Sequence, residues 1–153
     1  MGAVMTIRPA MLSDVPHLVA MGRAQLAEIY GDVLPENPAQ LETLGVHLLT
    51  APNCTVLVAG KDGALVGMMG LVAHVHHLSG VPTVGEVMWW MDPTARGAGL
   101  ALLRHAEAWA RDHGARAIQM AAPVGSRAGL LYERRGYRAV ETTYYRPLAA
   151  EGG

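Results

Sequence analysis

The chain has a single cysteine, Cys54, so no disulfide can form within it, and a reducing compartment suits it. Cys54 opens an apolar run, Thr55 to Ala59, where burial as a small hydrophobe fits better than nucleophilic chemistry. No run of 18 apolar residues occurs, and the N-terminus lacks a charged stretch followed by an apolar one. Neither membrane spanning nor secretion is therefore expected, and the cytoplasm is the expected location. No basic run accompanies the net charge of −1, which argues against nucleic acid as the main partner. The sharpest local absence is of cations: Ala24 to Gly60 contains no Lys or Arg, yet holds Glu28, Asp32, Glu36 and Glu42.

The opposite imbalance lies further on, where Arg96 to Arg138 carries eight arginines against Glu107, Asp112 and Glu133. Two surfaces of opposite sign are one reading, one suited to a cationic ligand and the other to an anionic one; solvated helix faces are the alternative. With 153 residues, 51% of them hydrophobic and 16% charged, the chain fits one domain with one core. The expected domain runs over residues 1–153, with flexible ends at 1–5 and 149–153.

Hydrophobic periodicity orders the elements. Thr6 to Arg8 reads as a strand, and Ser13 as the cap of a helix whose inner face is Val15, Leu18, Val19, Gly22, Leu26 and Ile29. Asn37-Pro38 starts a second helix, which Pro52 stops. Cys54 to Ala59 and Ala64 to Val75 form a hairpin about Gly60-Lys61-Asp62-Gly63, and Val84 to Met91 is a further strand. A helix opens at Gly97 to Gly99 and closes at Gly114, Ala117 to Ala121 is a short strand, and Arg127 to Arg135 is a helix. Tyr137 to Pro147 supplies one or two last strands. The class is α/β, with mixed sheet directions.

Arg96-Gly97-Ala98-Gly99-Leu100-Ala101 sits between a strand and an amphipathic helix. Small residues there admit a ligand close to the backbone, and a helix N-terminus offers free N–H groups and a positive dipole end, which together hold phosphate. There is no G-x-x-x-x-G-K-[ST], and no third glycine or alanine completes a dinucleotide fingerprint after Gly99. The pattern Arg-x-x-Gly-x-Ala resembles the acetyl-CoA pyrophosphate loop of the GNAT superfamily of N-acetyltransferases. Val84 to Arg138 is similar to that family's core throughout, including Asp92-Pro93 and Leu131-Tyr132-Glu133-Arg134-Arg135-Gly136-Tyr137, as is Ile7-Arg8-Pro9-Ala10 with Asp14. The resemblance implies a central mixed sheet of about seven strands flanked by about four helices, splayed so that the pantetheine arm lies in the split like an added strand. One departure is Gly125, which stands where many members have an asparagine seven residues before the helix tyrosine.

Acetyl transfer to an amine needs a base for the amine, donors for the thioester carbonyl and a proton for the thiolate. Glu86 is the only acid in its strand, among Val84, Val87, Met88, Trp89 and Trp90, where desolvation raises a carboxyl toward base strength. It lies ten residues before Arg96, a position similar to that of the catalytic glutamate of several members; a structural glutamate is the alternative. The resemblance implies that Tyr132 is the acid, and that the strand end at Trp89, Trp90 and Met91 serves the thioester through its backbone. It also implies that Arg96, Gly97, Ala98, Gly99, Leu100, Ala101 and Arg127, with Tyr132, bind the cofactor. A core tyrosine with a satisfied hydroxyl is the alternative for Tyr132. Trp89 and Trp90 face opposite sides of the sheet by strand alternation.

In the family the first two helices and their connection roof the acceptor pocket, which implies a substrate-binding role for Glu28, Tyr30 and Asp32. His76 and His77, in the loop to Pro82, are expected to border the same pocket with Glu86, with His77 as an alternative base; ordinary loop histidines are the competing reading. In the cluster His74, His76 and His77, a strand puts His74 and His76 on one face, but no Cys or third spaced ligand accompanies them, so no metal is expected. The expected partners are acetyl-CoA and a cationic primary amine, with no nucleic acid or membrane, and a homodimer is left open. A non-catalytic acyl-CoA sensor, or a transferase using another acyl group, is the alternative function.

Overall fold

The computed structural model describes residues 5–31 and 33–149, apart from the side chain of Arg96. Asp32 and the expected flexible residues 1–4 and 150–153 lie outside the described residues. The elements are β1 (Met5–Pro9), α1 (Val15–Tyr30), α2 (Pro38–Thr50), β2 (Cys54–Lys61), β3 (Ala64–Val75), β4 (Pro82–Met91), α3 (Gly99–Asp112), β5 (Ala117–Gln119) and α4 (Ala128–Arg134). Short 3-10 turns at Leu12–Asp14 and Pro93–Ala98 lead into α1 and α3. Met5, expected in a flexible end, is instead part of β1 and pairs with Lys61.

The sheet runs β1-β2-β3-β4-β5, antiparallel up to β4 and parallel between β4 and β5. Its tight hairpin turns at Asp62 (φ 52°) and Gly63 (φ 79°), two left-handed residues whose twist matches that of the flanking strands. One face carries Leu57, Ala59, Met69, Leu71, Val84 and Met91, under Leu102, Leu103 and Ala106 of α3 and Tyr132 of α4. The other carries Val56, Val58, Met68 and Met88, under Leu18 and Met21 of α1 and Leu48 of α2. Each fully buried Leu, Met or Val stabilises the fold by about 1.5–3 kcal/mol.

Several helix ends differ in detail from their sequence signals. Asn37 caps α2 as expected, its Oδ1 accepting from the Gln40 N–H at 3.1 Å. Ser13 does not cap α1, because the 3-10 turn takes it up and Asp14 stands at the cap position. The Asp14 carboxylate is instead drawn to Arg8, which donates to it at 2.7 and 3.1 Å, and to the Met11 N–H at 2.8 Å. Those donors hold the Asp14 carboxyl below the usual range.

The sheet has five strands among the described residues rather than about seven. β5 ends at Gln119, not Ala121, because its partner β4 leaves it after Gly85. Residues 137–149 form no strand: the chain beyond Tyr137 is exposed and finds no ladder partner, which a strand requires.

Candidate active site

A β-bulge in β4 organises the site. On β3, Gly70 faces Met88 and the next residue, Leu71, faces Glu86, so Val87 is an extra residue with no partner. An inserted residue reverses the side-chain alternation on either side of it. Val84 faces α3 and α4; past the bulge, Trp89 and Met91 return to that face, while Met88 and Trp90 face α1 and α2. Glu86, two residues after Val84, therefore shares a face with Trp89 and Tyr132. The two tryptophans point to opposite sides, as alternation requires.

At the same point the sheet splits. β4 pairs with β5 only from Thr83 to Gly85, so from Glu86 to Trp90 its outer edge has no strand partner among the described residues. Unpaired backbone N–H and C=O groups along such an edge accept an added extended chain.

The half-buried Glu86 side chain makes no hydrogen bond or ion pair among the described residues, and desolvation pushes its carboxyl up to about 7. Tyr132 is buried, 6% exposed, and its hydroxyl donates to the Ala121 carbonyl at 2.8 Å. Burial, and then the nearby Glu86 charge, raise the phenol far above its ordinary value. Its ring tilts against Trp89 at 5.7 Å and Tyr137 at 5.4 Å. Tyr137 in turn donates to Glu107 Oε2 at 2.9 Å, and Arg135 also bonds Glu107, so α4 is clamped to α3. Among the described residues, Trp89 Nε1 and Ser126 Oγ are buried without a partner.

The start of α3 has no side-chain cap at Ala98, where the 3-10 turn Pro93–Ala98 runs into it, so the positive end of the helix dipole is not neutralised by a capping side chain. The two glycines of this turn differ. A Cβ on Gly97 would meet nothing within 4 Å, whereas one on Gly99 would lie 3.2 Å from Trp89 Cζ2. Gly99 thus makes room for Trp89, and a large side chain there would disturb packing before it reached a ligand. Gly97 is exposed in this turn, whereas Ala98, Leu100 and Ala101 are half-buried, Ala98 against the core under α3. Arg127, exposed, stands at the N-cap position of α4. Gly125 has φ +75°, a left-handed position that glycine occupies without strain.

The other expected residues are more scattered. Glu28 and Tyr30 lie in the last turn of α1. Glu36, one of the acids of the cation-free segment, is paired with Arg23 from outside that segment, at 2.9 Å. His76 and His77 stack on each other at 5.1 Å in the turn before β4, and the His76 Nδ1 accepts from the Leu78 N–H. They belong to the end of β4 away from the split. No group of three metal-ligating side chains occurs among the described residues, and no helix is long and apolar enough to cross a membrane.

The bulge, Tyr137's clamp on Glu107 and the role of Gly99 were not read from the sequence. An extra strand residue has no compositional mark, and the Glu107–Tyr137 contact joins positions 30 apart.

A family model described as "Acetyltransferase (GNAT) family" matches residues 23–137, well over half of the chain. The chain belongs to the GNAT acetyltransferase family. No curated protein matches this GNAT chain, but solved structures share its fold. Aminoglycoside 6'-N-acetyltransferase AAC(6')-Ih of Acinetobacter baumannii superposes with a TM-score of 0.71 at 17% identity, covering 96% of this chain and 99% of that one. The ribosomal-protein-alanine N-acetyltransferase of Brucella melitensis biovar Abortus 2308 gives 0.71 at 21%, over 95% and 99%. Aminoglycoside N-acetyltransferase AAC(6')-Iy, solved with CoA, gives 0.77 at 16%, over 98% of each chain. At such identities the likeness of this GNAT chain to each is one of fold.

Proposed function

We propose that this GNAT protein transfers an acetyl group from acetyl-CoA to a cationic primary amine, with Glu86 as the general base. The observation that carries the reading is the bulge at Val87, which sets an unpaired carboxyl of pKa about 7 beside the unpaired edge of β4.

The residues present suit acetyl-CoA as the donor. The uncapped first turn of α3, open at Gly97, receives the pyrophosphate. The free edge of β4 receives the pantetheine amides, and backbone N–H groups near Trp89 and Met91 meet the thioester carbonyl. Glu86 takes a proton from the ammonium form of the acceptor, directly or through water. The amine nitrogen then attacks the thioester carbon, the C–N bond forms and the C–S bond breaks; the nitrogen sheds its second proton as the amide forms, and CoA leaves as a thiolate that takes one proton up. Tyr132 is the candidate donor, since its raised pKa keeps it protonated; its hydrogen must first turn from the Ala121 carbonyl. The cation-free segment that ends α1, with Glu28, Tyr30 and Asp32, attracts a positively charged acceptor. This activity agrees with a cytoplasmic setting.

Release of free CoA thiol from acetyl-CoA, across a panel of polyamines, aminoglycosides, peptides and amino acids, tests the reading. Cationic amines should give the fastest release, and neutral or acidic amino acids outperforming every polycation would overturn the acceptor class. The hydrogen bond between Tyr132 and Ala121 favours one alternative, an acyl-CoA sensor without turnover. Thermal protection by acetyl-CoA, with no thiol released by any amine, would establish that alternative; the same panel with propionyl- and succinyl-CoA fixes the acyl group.

A further inference from the structure

α3 buries Leu102, Leu103, Ala106 and Ala110, and with them one charged residue, Glu107, which is 8% exposed. A carboxylate in such company costs free energy unless it is paired and hydrogen-bonded, and an apolar side chain of similar volume often serves stability as well or better. Burial alone does not account for an acid there. What it contacts does.

Both of its partners lie just past the end of α4. Tyr137 donates to Oε2 at 2.9 Å, and Arg135 bonds Oε1. Gly136 between them has φ +90°, a left-handed turn that folds the chain back on the helix. The Tyr137 N–H thereby reaches the Tyr132 carbonyl at 3.0 Å, and the two rings lie 5.4 Å apart. Glu107 thus grips the residue that touches Tyr132 through both backbone and ring.

α4 needs such a grip. Its seven residues are too few to hold a helix unaided, it has no side-chain cap at its start, and Tyr132 is its one buried residue. The Tyr132 hydroxyl is tied to the Ala121 carbonyl, a bond that proton delivery must give up. The ring is then held between Trp89 on one side and Tyr137 on the other. We propose that Glu107 is a positioning residue for acetyl transfer: through Tyr137 it holds the Tyr132 hydroxyl where it protonates the departing sulfur. This rests on the reading above, with Tyr132 as the acid, and adds to it a residue of α3 that acts only through α4.

Steady-state kinetics in a double-mutant cycle test this, with whichever of spermidine, kanamycin and a lysine-containing peptide the wild type acetylates fastest. Tyr137→Phe and Glu107→Leu each release the grip and should lower kcat about 10-fold, since a small displacement of a reacting group costs rate. Acceptor KM and calorimetric acetyl-CoA affinity should stay at wild-type values. Glu107→Gln keeps an oxygen for the Tyr137 hydroxyl and should hold kcat within about 3-fold of wild type. In a Tyr132→Phe background the same substitutions should cost no further kcat, because the hydroxyl they position is gone. An equal loss in both backgrounds, or wild-type kcat in Tyr137→Phe, would overturn the assignment; the Tyr137→Phe arm decides it even where Glu107→Leu fails to fold. Wild-type kcat in Tyr132→Phe alone would instead overturn the acid role, and a wild type that binds acetyl-CoA but acetylates no cationic amine would overturn the activity; either result would remove the positioning role too.

Discussion

The two halves of β4 share one strand and differ in nearly everything else. From Thr83 to Gly85 it is paired on both sides, with Thr83 and Val84 buried. From Glu86 to Trp90 its only strand partner among the described residues is β3, and it holds an unpaired carboxyl and the buried, unpartnered indole N–H of Trp89 and faces an uncapped helix start. The first half satisfies its polar groups within the fold. The second leaves them for something else, at a cost in stability that a ligand can recover. One inserted residue, Val87, separates them.

The largest effect expected from breaking this contrast is at Glu86. Glu86→Gln keeps the shape and removes the base, so kcat/KM should fall by ~10²–10⁴-fold, with calorimetric acetyl-CoA affinity unchanged. A smaller loss would return Glu86 to a structural role.

The next effect separates the two glycines of the phosphate turn. Gly97→Glu places a negative charge in the open cradle and should weaken acetyl-CoA binding by about 100-fold or more, as two opposed like charges imply. Its melting temperature should not change, because a Cβ there meets nothing within 4 Å. Gly99→Val should instead lower stability by about 1–3 kcal/mol by forcing Trp89 to move. Calorimetry and thermal melts on both variants would expose a reversal.

A third prediction concerns the protonation of Glu86. Its carboxyl is raised from 4.5 to about 7 by burial, so folding disfavours its charged form. The penalty is absent below the unfolded value, grows between roughly pH 4.5 and 7, and is complete above that. Glu86→Gln should therefore melt higher than wild type at pH 8 and match it at pH 4. Equal melting at both values would mean that the carboxylate is well solvated or paired.

The smallest expected change is in the stability of Tyr132→Phe. Losing the hydroxyl leaves the Ala121 carbonyl without its donor, and since Ala121 is exposed, water can replace it; about 1 kcal/mol or less is expected. A fall in kcat at unchanged acetyl-CoA affinity would support the acid role, and wild-type kcat would end it.

What was legible beforehand follows from how local each signal is. Asn37-Pro38, Asp62-Gly63, Gly114 and Gly136 mark helix ends and a turn through their own backbone preferences, and the structure uses each as such. The turn at Gly97 and the isolated acid at Glu86 were visible as composition. Their relation was not, because without a bulge strict alternation would put Glu86 on the face of Met88 and Trp90. Ser13 carries the residue type of a cap but does not act as one, because a 3-10 turn, in which Asp14 contacts Arg8, precedes the helix. The strands expected after Tyr137 had suitable residues, but a strand depends on a partner that no local pattern supplies.

The pH dependence of kcat/KM, measured side by side for wild type and Glu86→Gln with the best cationic acceptor, tests the central claim most directly. If Glu86 is the base, the wild-type profile rises with pH through a limb near 7, where the carboxyl loses its proton, and that limb is missing from the variant. The same limb in both proteins would contradict the account and place the titrating base elsewhere.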